Sequence, residues 1–536
     1  MTAIRLLAVA AVTVTLAPPP AAAQSDTEQL GNVHFQTSCN ETAQRRFDRA
    51  MRYQHSFWYS AARDIFEQAA KADDTCAIAY WGVALSFLSN PHGPIPTPNL
   101  APGLAAIKIA QEIGAKSESE RERDYIDALA LMYVDYDRLT HQQRIRAYLG
   151  AMEKLAAKYP DDDEAQIFYA ITLNTSASPA DKSYAQQLKG AAILEPIWQR
   201  QPRHPGIAHY LIHLYDYPPI AAKGLPAAQR YAQIAPAAPH AQHMPSHIFT
   251  RVGYWQESIA SNLASVKAAI PAKEFTEQFH GQDYLVYAYL QLARDDDARA
   301  IRDQMIAAPK PDPAATAAFY ALAAVPARYA IERGDWQEAA QLQVEPSRFA
   351  HTMAITHFAR ALGAVRSGHP EAASADIAKL AELRDRLQEQ KDGYWANIVD
   401  IQWQAATAWQ REAEGRSAEA LALMAAAADA EDRTEKAPVT PGPLAPAREL
   451  YGEMLLEQGK AKQALAAFEA TKAKEPNRFH GFAGAALAAE KLGDSATAKD
   501  NYQKLLALAG SGISLASADN GQRPEIERAR AYLAKY

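Results

Sequence analysis

Residues 456–470 read LEQGKAKQALAAFEA, and this short pattern organises the interpretation of the whole chain. A helix-like apolar pattern ends at Gly459, a polar turn follows, and a second pattern opens with Ala464, five residues after the glycine. Glycine often follows a helix C-terminus because it accepts the left-handed backbone conformation. The stretch therefore predicts two helices joined by a tight turn.

Similar helix–turn–helix patterns recur along the chain. They occur at 57–74, 250–271, 289–301, 331–342, 365–376 and 490–502. Gly334 and Gly368 are 34 residues apart, and so are Gly459 and Gly493. We find no alternating apolar pattern long enough for a β-strand, so the chain is predicted to be all-α.

The 34-residue period resembles that of tetratricopeptide-repeat (TPR) proteins over most of residues 40–507. This resemblance implies an α-solenoid of helix hairpins, wound as a right-handed superhelix, in which the first helix of each hairpin lines a concave groove. A narrower resemblance is carried by HPGIAHYLIHLYDYPP (204–219) and PHAQHMPSHIFTRVGYW (239–255). These motifs are similar to a block in exported bacterial TPR proteins of unclear function.

Pro-rich segments at 307–314 and 436–446 predict where the array divides. We expect an N-terminal TPR-like solenoid with a histidine-rich groove at 24–306 and middle repeats at 307–435. Residues 436–536 are expected to form C-terminal repeats that end in a capping helix. A further Pro/Gly loop at 90–103 has two interpretations: a connector, or a lid that points His92 into the groove.

The N-terminus has the pattern of a secretory signal peptide. Arg5 precedes an apolar run, and small alanines end the segment at Ala23, so residues 1–23 are predicted to be removed. The alternative is a retained membrane anchor. No later apolar run reaches the ~18 residues of a spanning helix, so the mature chain is expected to have no transmembrane anchor. We expect export to the periplasm, with secretion as the alternative.

Cysteine content and charge narrow the function classes. Cys39 and Cys76 are the only cysteines, and in an oxidising compartment they are expected to form a disulfide; two free buried thiols are the alternative. The net charge is −7, with acidic and basic residues interspersed. The absence of a basic block argues against nucleic acid as a partner.

Two histidine pairs have the spacing of metal ligands. His209 and His213 are four residues apart, as are His243 and His247, and residues four apart on a helix share one face. Two imidazoles at this spacing can bind one metal ion. The four are therefore the candidate metal ligands, and packing between helices is the alternative role.

Spacing from the predicted turns extends this set. His243 lies ten residues before Gly253, and Asp283 lies ten residues before Ala293, the residue that replaces the turn glycine in its repeat. His240 and His280 lie thirteen residues before the same two turn residues. The TPR resemblance implies that these offsets line the groove. The additional candidate ligands are His240, His280, Asp283 and Asp216.

A site of this composition suits Zn, Cu, Ni or Fe, since imidazole is a good ligand for all four. Neither histidine pair contains the glutamate of HExxH, which argues against a metalloprotease. Three hypotheses follow for the function. The protein binds a protein or peptide partner or a ligand in its groove, with a histidine-rich metal site; it is a metal-dependent hydrolase or oxidoreductase; or it is a structural scaffold with packing histidines.

Overall fold

A computed structural model describes residues 29–312, 315–510 and 523–535. Within these residues the secondary structure is helical, with no β-strand, so the all-α prediction is confirmed. The predicted signal peptide at 1–23 lies outside the described residues. Among the described helices, none is both long and apolar enough to cross a membrane.

The N-terminal third of the chain consists of consecutive antiparallel helices. They are α1 (Glu41–His55), α2 (Tyr59–Ala72), α3 (Ala77–Phe87), α4 (Thr97–Gly114), α5 (Glu120–Ala130), α6 (His141–Lys158), α7 (Asp163–Ser176), α8 (Ala185–Arg200) and α9 (Pro205–Tyr215). Their buried faces belong to one hydrophobic core that extends from Leu30 to Phe249. This core therefore includes the segments that carry the candidate ligands His209 and His243.

The middle of the chain begins with a short 3₁₀ helix at Ala221–Gly224. The α-helices that follow are α10 (Leu225–Ile234), α11 (Pro239–His243), α12 (Pro245–Arg251), α13 (Trp255–Ala272), α14 (Phe275–Gln291), α15 (Asp295–Ala307), α16 (Thr316–Ile331), α17 (Trp336–Ala340) and α18 (Ala350–Arg366). A second 3₁₀ helix, Pro370–Ala373, leads into α19 (Ser374–Glu389).

The C-terminal part continues the array. Its helices are α20 (Gly393–Ala413), α21 (Ser417–Asp432), α22 (Ala447–Glu457), α23 (Ala461–Lys474), α24 (Phe479–Leu492), α25 (Ser495–Gly510) and α26 (Pro524–Leu533). Helix α26 packs on α25, and its role as a capping helix stays a prediction. Gly459 and Gly493 have φ values of 71° and 76°, the left-handed conformation expected at the hairpin turns. Ala293 has a φ of 54° and takes the same role without being glycine.

Helix packing makes this array a solenoid. Each helix packs against the next in the chain, which gives a series of hairpins. The first helices of successive hairpins also contact one another, in the order α14, α16, α18, α20, α22 and α24. Hairpins that stack on their neighbours in this way form an α-solenoid. The prediction of TPR-like helix hairpins is thus confirmed.

The Pro-rich segment 436–446 packs into the array as well as joining two helices. The guanidinium of Arg328 on α16 donates hydrogen bonds to Thr440 Oγ1, Gly442 O and Pro443 O, each at 2.8 Å. At its start, Lys436 Nζ lies 3.1 Å from an oxygen of the buried Asp216, directly after α9. The segment therefore connects the C-terminal repeats to the histidine-bearing helices. The domain boundaries at 306/307 and 435/436 stay predictions.

A disulfide joins Cys39, just before α1, to Cys76, just before α3, with the two Cα atoms 5.0 Å apart. It closes a loop with a sequence separation of 37 and joins the two ends of the first hairpin. Cross-linking a loop of this length restricts the unfolded chain and stabilises the native state by roughly 3–4 kcal/mol.

We expect the double variant Cys39→Ser/Cys76→Ser to unfold at lower denaturant concentration than the wild type, by roughly 3–4 kcal/mol in free energy. Urea unfolding followed by circular dichroism measures the change. Adding a thiol reductant to the wild type is the matched control and should give the same shift, with no further shift in the variant. Identical unfolding curves for wild type and variant would contradict a stabilising role.

Candidate metal centre

The candidate ligands lie on helices with little access to solvent. Every residue of α9 is buried, including His209 and His213. His240 and His243 lie on α11 and His247 on α12, and these two short helices meet at Met244. Met244 retains right-handed helical angles (φ −54°, ψ −35°), so the proline that follows it does not turn the chain away.

Two groups of three histidines result. The first triad consists of His209, His213 and His240, and the second of His243, His247 and His280. In each group, ligand nitrogens from the three rings all lie within 4.8 Å of one another. Each four-residue pair thus gains its third imidazole from a helix that follows it in the chain. The four primary candidates do not form a single site; they belong to two neighbouring ones.

Hydrogen bonds fix the proton of His209 on the outer side of its ring. His209 Nδ1 lies 2.7 Å from the carbonyl oxygen of His55, which can only accept, so Nδ1 carries the hydrogen. In the neutral imidazole, Nε2 is then a bare acceptor. This Nε2 faces His213 Nε2 at 3.1 Å and His240 Nε2 at 3.2 Å.

His240 has the same tautomer for the same reason. Its Nδ1 lies 3.1 Å from a carboxylate oxygen of Glu277. Burial alone would raise the pKa of Glu277, but the His240 ring outweighs it and lowers that pKa, so Glu277 accepts the hydrogen bond as a carboxylate. In the neutral form of the His240 ring, its Nε2 also carries a lone pair and faces His209 Nε2 across 3.2 Å.

The second triad repeats this arrangement. His243 Nδ1 lies 2.6 Å from Asn262 Oδ1, and Asn262 uses its Nδ2 to donate to Ser258 O, which fixes the amide orientation. His247 Nδ1 lies 2.9 Å from a carboxylate oxygen of Asp216. Both Nε2 atoms are then bare, and they face each other at 3.0 Å. The remaining member, His280, has a buried Nδ1 without a hydrogen-bond partner among the described residues.

Protonation does not relieve the contact between His243 and His247 near neutral pH. Burial lowers the pKa of His280 to about 3 and that of His92 to about 4. Burial, followed by the neighbouring rings or charged groups, also lowers the pKa of His209, His213, His243 and His247. Buried acceptors that face each other without a donor are costly. A cation other than a proton is the natural partner for such a set.

The two candidate aspartates have different roles in the structure. Asp216 accepts from His247, from Arg251 Nε at 2.8 Å and from Lys436 Nζ at 3.1 Å. Burial alone would raise the pKa of Asp216, but the charges of Lys436 and Arg251 outweigh it and hold that pKa below its usual range. Asp283 is paired with Arg328 at 2.9 Å. Neither carboxylate contributes an atom to a triad within the described part of the chain.

An aromatic ring covers each triad. Phe57 has its ring centroid 4.3, 5.7 and 5.2 Å from those of His209, His213 and His240. Tyr284 lies 4.7, 5.2 and 5.2 Å from the rings of His243, His247 and His280. The loop predicted at 90–103 ends at Pro96, just before α4 begins, and it carries His92, whose ring centroid lies 4.1 Å from that of His213, so this histidine does point inward.

A third group consists of His55, Glu164 and His204. Here every ring nitrogen is engaged: His55 contacts Glu164 and Tyr210 OH, each at 3.0 Å, and His204 contacts Glu164 at 2.8 Å. The other nitrogen of His204 accepts from the Ile207 N–H at the start of α9, which makes His204 the N-cap of that helix. This satisfied network holds His55, whose carbonyl orients His209.

Sequence reasoning named Asp216, although as a ligand, and missed the other acceptors behind the ligands. Glu277 had a usable signal, because it lies on the same helix as His280 and one turn before it. Asn262 and the carbonyl of His55 had none, since their positions relative to the histidines depend on how separate hairpins pack. Phe57 and Lys436 were missed for the same reason.

Similarity between this chain and known proteins is found among solved structures. No protein-family model and no curated protein matches it. Among solved structures it is similar to the APC/C hetero-tetramer Cut9–Hcn1, with 11% identity over 91% of this chain and 96% of that one and a TM-score of 0.28. Naa15/Naa10 bound to HypK-THB shares 13% identity over 91% and 74%, with a TM-score of 0.24. The TPR domain of P58(IPK) shares 12% identity over 92% and 99%, with a TM-score of 0.20.

At these low TM-scores the fold assignment rests on the helix packing described above. These structures are of other proteins at 11–13% identity and assign no partner to this chain. The histidine geometry is therefore the basis for a proposed function.

The metal-free protein should lose stability as the pH falls below about 6.5. Because these pKa values are lowered in the folded chain, the unfolded chain binds more protons below about pH 6.5. For His92 this difference extends down to about pH 4, and for His280 down to about pH 3. Stability then rises with pH in that window, by up to about 1.4 kcal/mol per pH unit for each such imidazole.

Thermal unfolding after chelation, measured across this window, tests the expectation. The variant His209→Gln/His243→Gln removes two of the titrating groups, so its unfolding temperature should depend less steeply on pH. An equally steep dependence in the variant would contradict the assignment to the triads.

Proposed function

We propose that the protein binds two transition-metal ions, one in each histidine triad, inside its solenoid. The observation that carries the proposal is the convergence of ring nitrogens: His243 Nε2 and His247 Nε2 are both bare and lie 3.0 Å apart, and the bare His209 Nε2 lies 3.2 Å from His240 Nε2. A metal ion accepts lone pairs from both members of such a pair. Packing histidines would instead place a donor against an acceptor.

Hydrogen bonds outside the triads support the proposal. Metal-binding histidines generally donate their other ring N–H to a carboxylate, a carbonyl or water, which sets the tautomer and raises ligand basicity. Four of the six histidines donate their outer ring N–H to a carbonyl, carboxylate or amide oxygen. The acceptors are His55 O, Glu277, Asn262 and Asp216. The support is therefore present in both triads.

The type of ligand atom narrows the choice of metal ion. All six ligands are imidazoles, which suit Zn, Cu, Ni and Fe better than Mg, Ca or Mn. Three protein ligands also leave a coordination position open, as in catalytic rather than structural zinc sites. The proposed centre thus keeps the metal-dependent hydrolase or oxidoreductase as a function class.

A partner-binding function is a second candidate. Solenoids of this type present extended concave surfaces to partners. A concavity of about 460 Å³ between the C-terminal helices is lined by charged side chains, among them Arg366, Glu453 and His480. Its mixed charge favours a polar peptide or protein segment, at a distance along the chain from the triads.

We further infer that the chain works outside the cytoplasm, in the periplasm or after secretion. The alanine-rich end of residues 1–23 supports export. The Cys39–Cys76 disulfide is consistent with an oxidising compartment. A metal centre in that compartment would load after export.

Metal analysis tests the main proposal directly. The mature chain is purified from a periplasm without an affinity histidine tag and analysed by elemental mass spectrometry. We expect two ions per chain in the wild type and about one in either His209→Ala/His213→Ala or His243→Ala/His247→Ala. The matched control is His34→Gln/His369→Gln, because both side chains are exposed at the surface (63% and 70%).

The control should keep both ions. Wild-type protein that holds no metal, even after reconstitution with zinc, copper, nickel or iron, would overturn the proposal. Circular dichroism of each variant separates loss of ligands from loss of fold.

The acceptor behind His240 provides an independent prediction. Replacing Glu277 by Gln removes the negative charge that holds the Nδ1 hydrogen, and we expect roughly 10–100-fold weaker binding of one of the two ions. Competition with a chromogenic chelator measures the affinity. Glu257→Gln, at an exposed position on α13, should leave both affinities unchanged. Equal affinities in the two variants would contradict the role given to Glu277.

A further inference from the structure

The two triads lie side by side in one buried region. The ring centroids of His213 and His247 are 6.0 Å apart, and those of His240 and His243 are 6.2 Å apart. Two imidazole sets this close place their ions within reach of one small bridging ligand, as in enzymes whose paired metal ions are ~3.5–4 Å apart. The two ions are therefore expected to act together.

The atoms that would bind the two ions are all nitrogens of imidazole rings, and none is a carboxylate oxygen. Glu277 and Asp216 bind the outer nitrogens of His240 and His247, so their charges lie behind the rings. Paired iron or manganese ions in helical proteins are instead held largely by glutamates. Imidazole suits both zinc and copper, and of these two metals copper alone has redox chemistry.

Burial restricts what can reach the ions. The six histidines are at most 9% exposed, and His209 and His243 are completely buried. Phe57 covers one triad and Tyr284 the other, each in contact with all three of its imidazole rings. The surroundings are thus narrow and partly apolar, which favours a small uncharged ligand.

We propose that the two triads hold a pair of copper ions that binds dioxygen between them. This inference rests on the proposed function and adds the identity of the metal and of its ligand. Each Cu(I) ion gives one electron, and dioxygen accepts both and stays bound as a two-electron-reduced ligand between two Cu(II) ions. The O–O bond is weakened but retained, no proton is required, and the reverse transfer releases dioxygen.

Anaerobic reconstitution tests this proposal. The full mature chain is stripped with a chelator, loaded with two equivalents of Cu(I) under argon, and then exposed to dioxygen. We expect uptake of one dioxygen per two copper ions and a new charge-transfer absorption that disappears under vacuum. The oxygenated protein should give no electron paramagnetic resonance signal, because the spins of two bridged Cu(II) ions cancel by coupling.

The single-triad variant His243→Ala/His247→Ala provides the contrast. It should bind one copper, take up no dioxygen by this route, and show the signal of an isolated Cu(II) ion after chemical oxidation. The surface variant His34→Gln/His369→Gln should behave like the wild type. The wild-type stoichiometry alone decides the proposal if a triad variant fails to fold.

The possible results distinguish failure of the copper–dioxygen inference from failure of the proposed function. Two bound copper ions without dioxygen uptake, or with the signals of two uncoupled Cu(II) ions, would overturn the copper–dioxygen inference and leave metal binding intact. Failure to bind copper or any other transition metal would overturn the proposed function itself. Reversible uptake at one dioxygen per copper pair supports both.

Discussion

Four hydrogen bonds on outer ring nitrogens set the chemistry of this protein. Acceptors hold the Nδ1 hydrogens of His209, His240, His243 and His247, so in the neutral imidazoles the inner Nε2 atoms have no hydrogen of their own. The rings then face one another as acceptors at 3.0–3.2 Å in a buried interior. Such contacts are unfavourable unless a cation lies between them. The metal proposal and its extension to a bridged pair both depend on this constraint.

The solenoid explains how so many imidazoles reach one place. A helix presents two histidines four residues apart on one face, and stacking of successive hairpins adds the third ring from a later helix. Behind the rings, the network of His55, Glu164 and His204 orients the carbonyl that binds His209. Helices α1 and α7, which carry His55 and Glu164, are thus part of the support of the site, although none of the six ligands lies on them.

The C-terminal half supports the site through charge. Lys436 and Arg251 neutralise Asp216, which holds His247, and Arg328 neutralises Asp283 while binding the backbone of segment 436–446. Removing one member of a buried ion pair leaves an uncompensated charge and is strongly destabilising. The second triad is therefore connected, through Asp216, to Lys436, which lies 220 residues after that aspartate along the chain.

The sequence by itself determined the local features. The glycine turns, the helical hairpins and the two histidine pairs follow from backbone freedom at glycine and from the 3.6-residue period of the helix. The offsets before Gly253 and Ala293 also placed His240 and His280 near the pairs. These inferences hold because each depends on residues within one or two helices.

Only the tertiary structure decided how these features combine. The histidines form two triads instead of one four-ligand site, because the angle between stacked hairpins brings His240 to His209 and His280 to His243. Asp283 faces Arg328 for the same reason, and the acceptors on His55 and Asn262 come from other hairpins. Contacts between separate hairpins depend on the packing of side chains over the whole core, and no local spacing in the sequence encodes that packing.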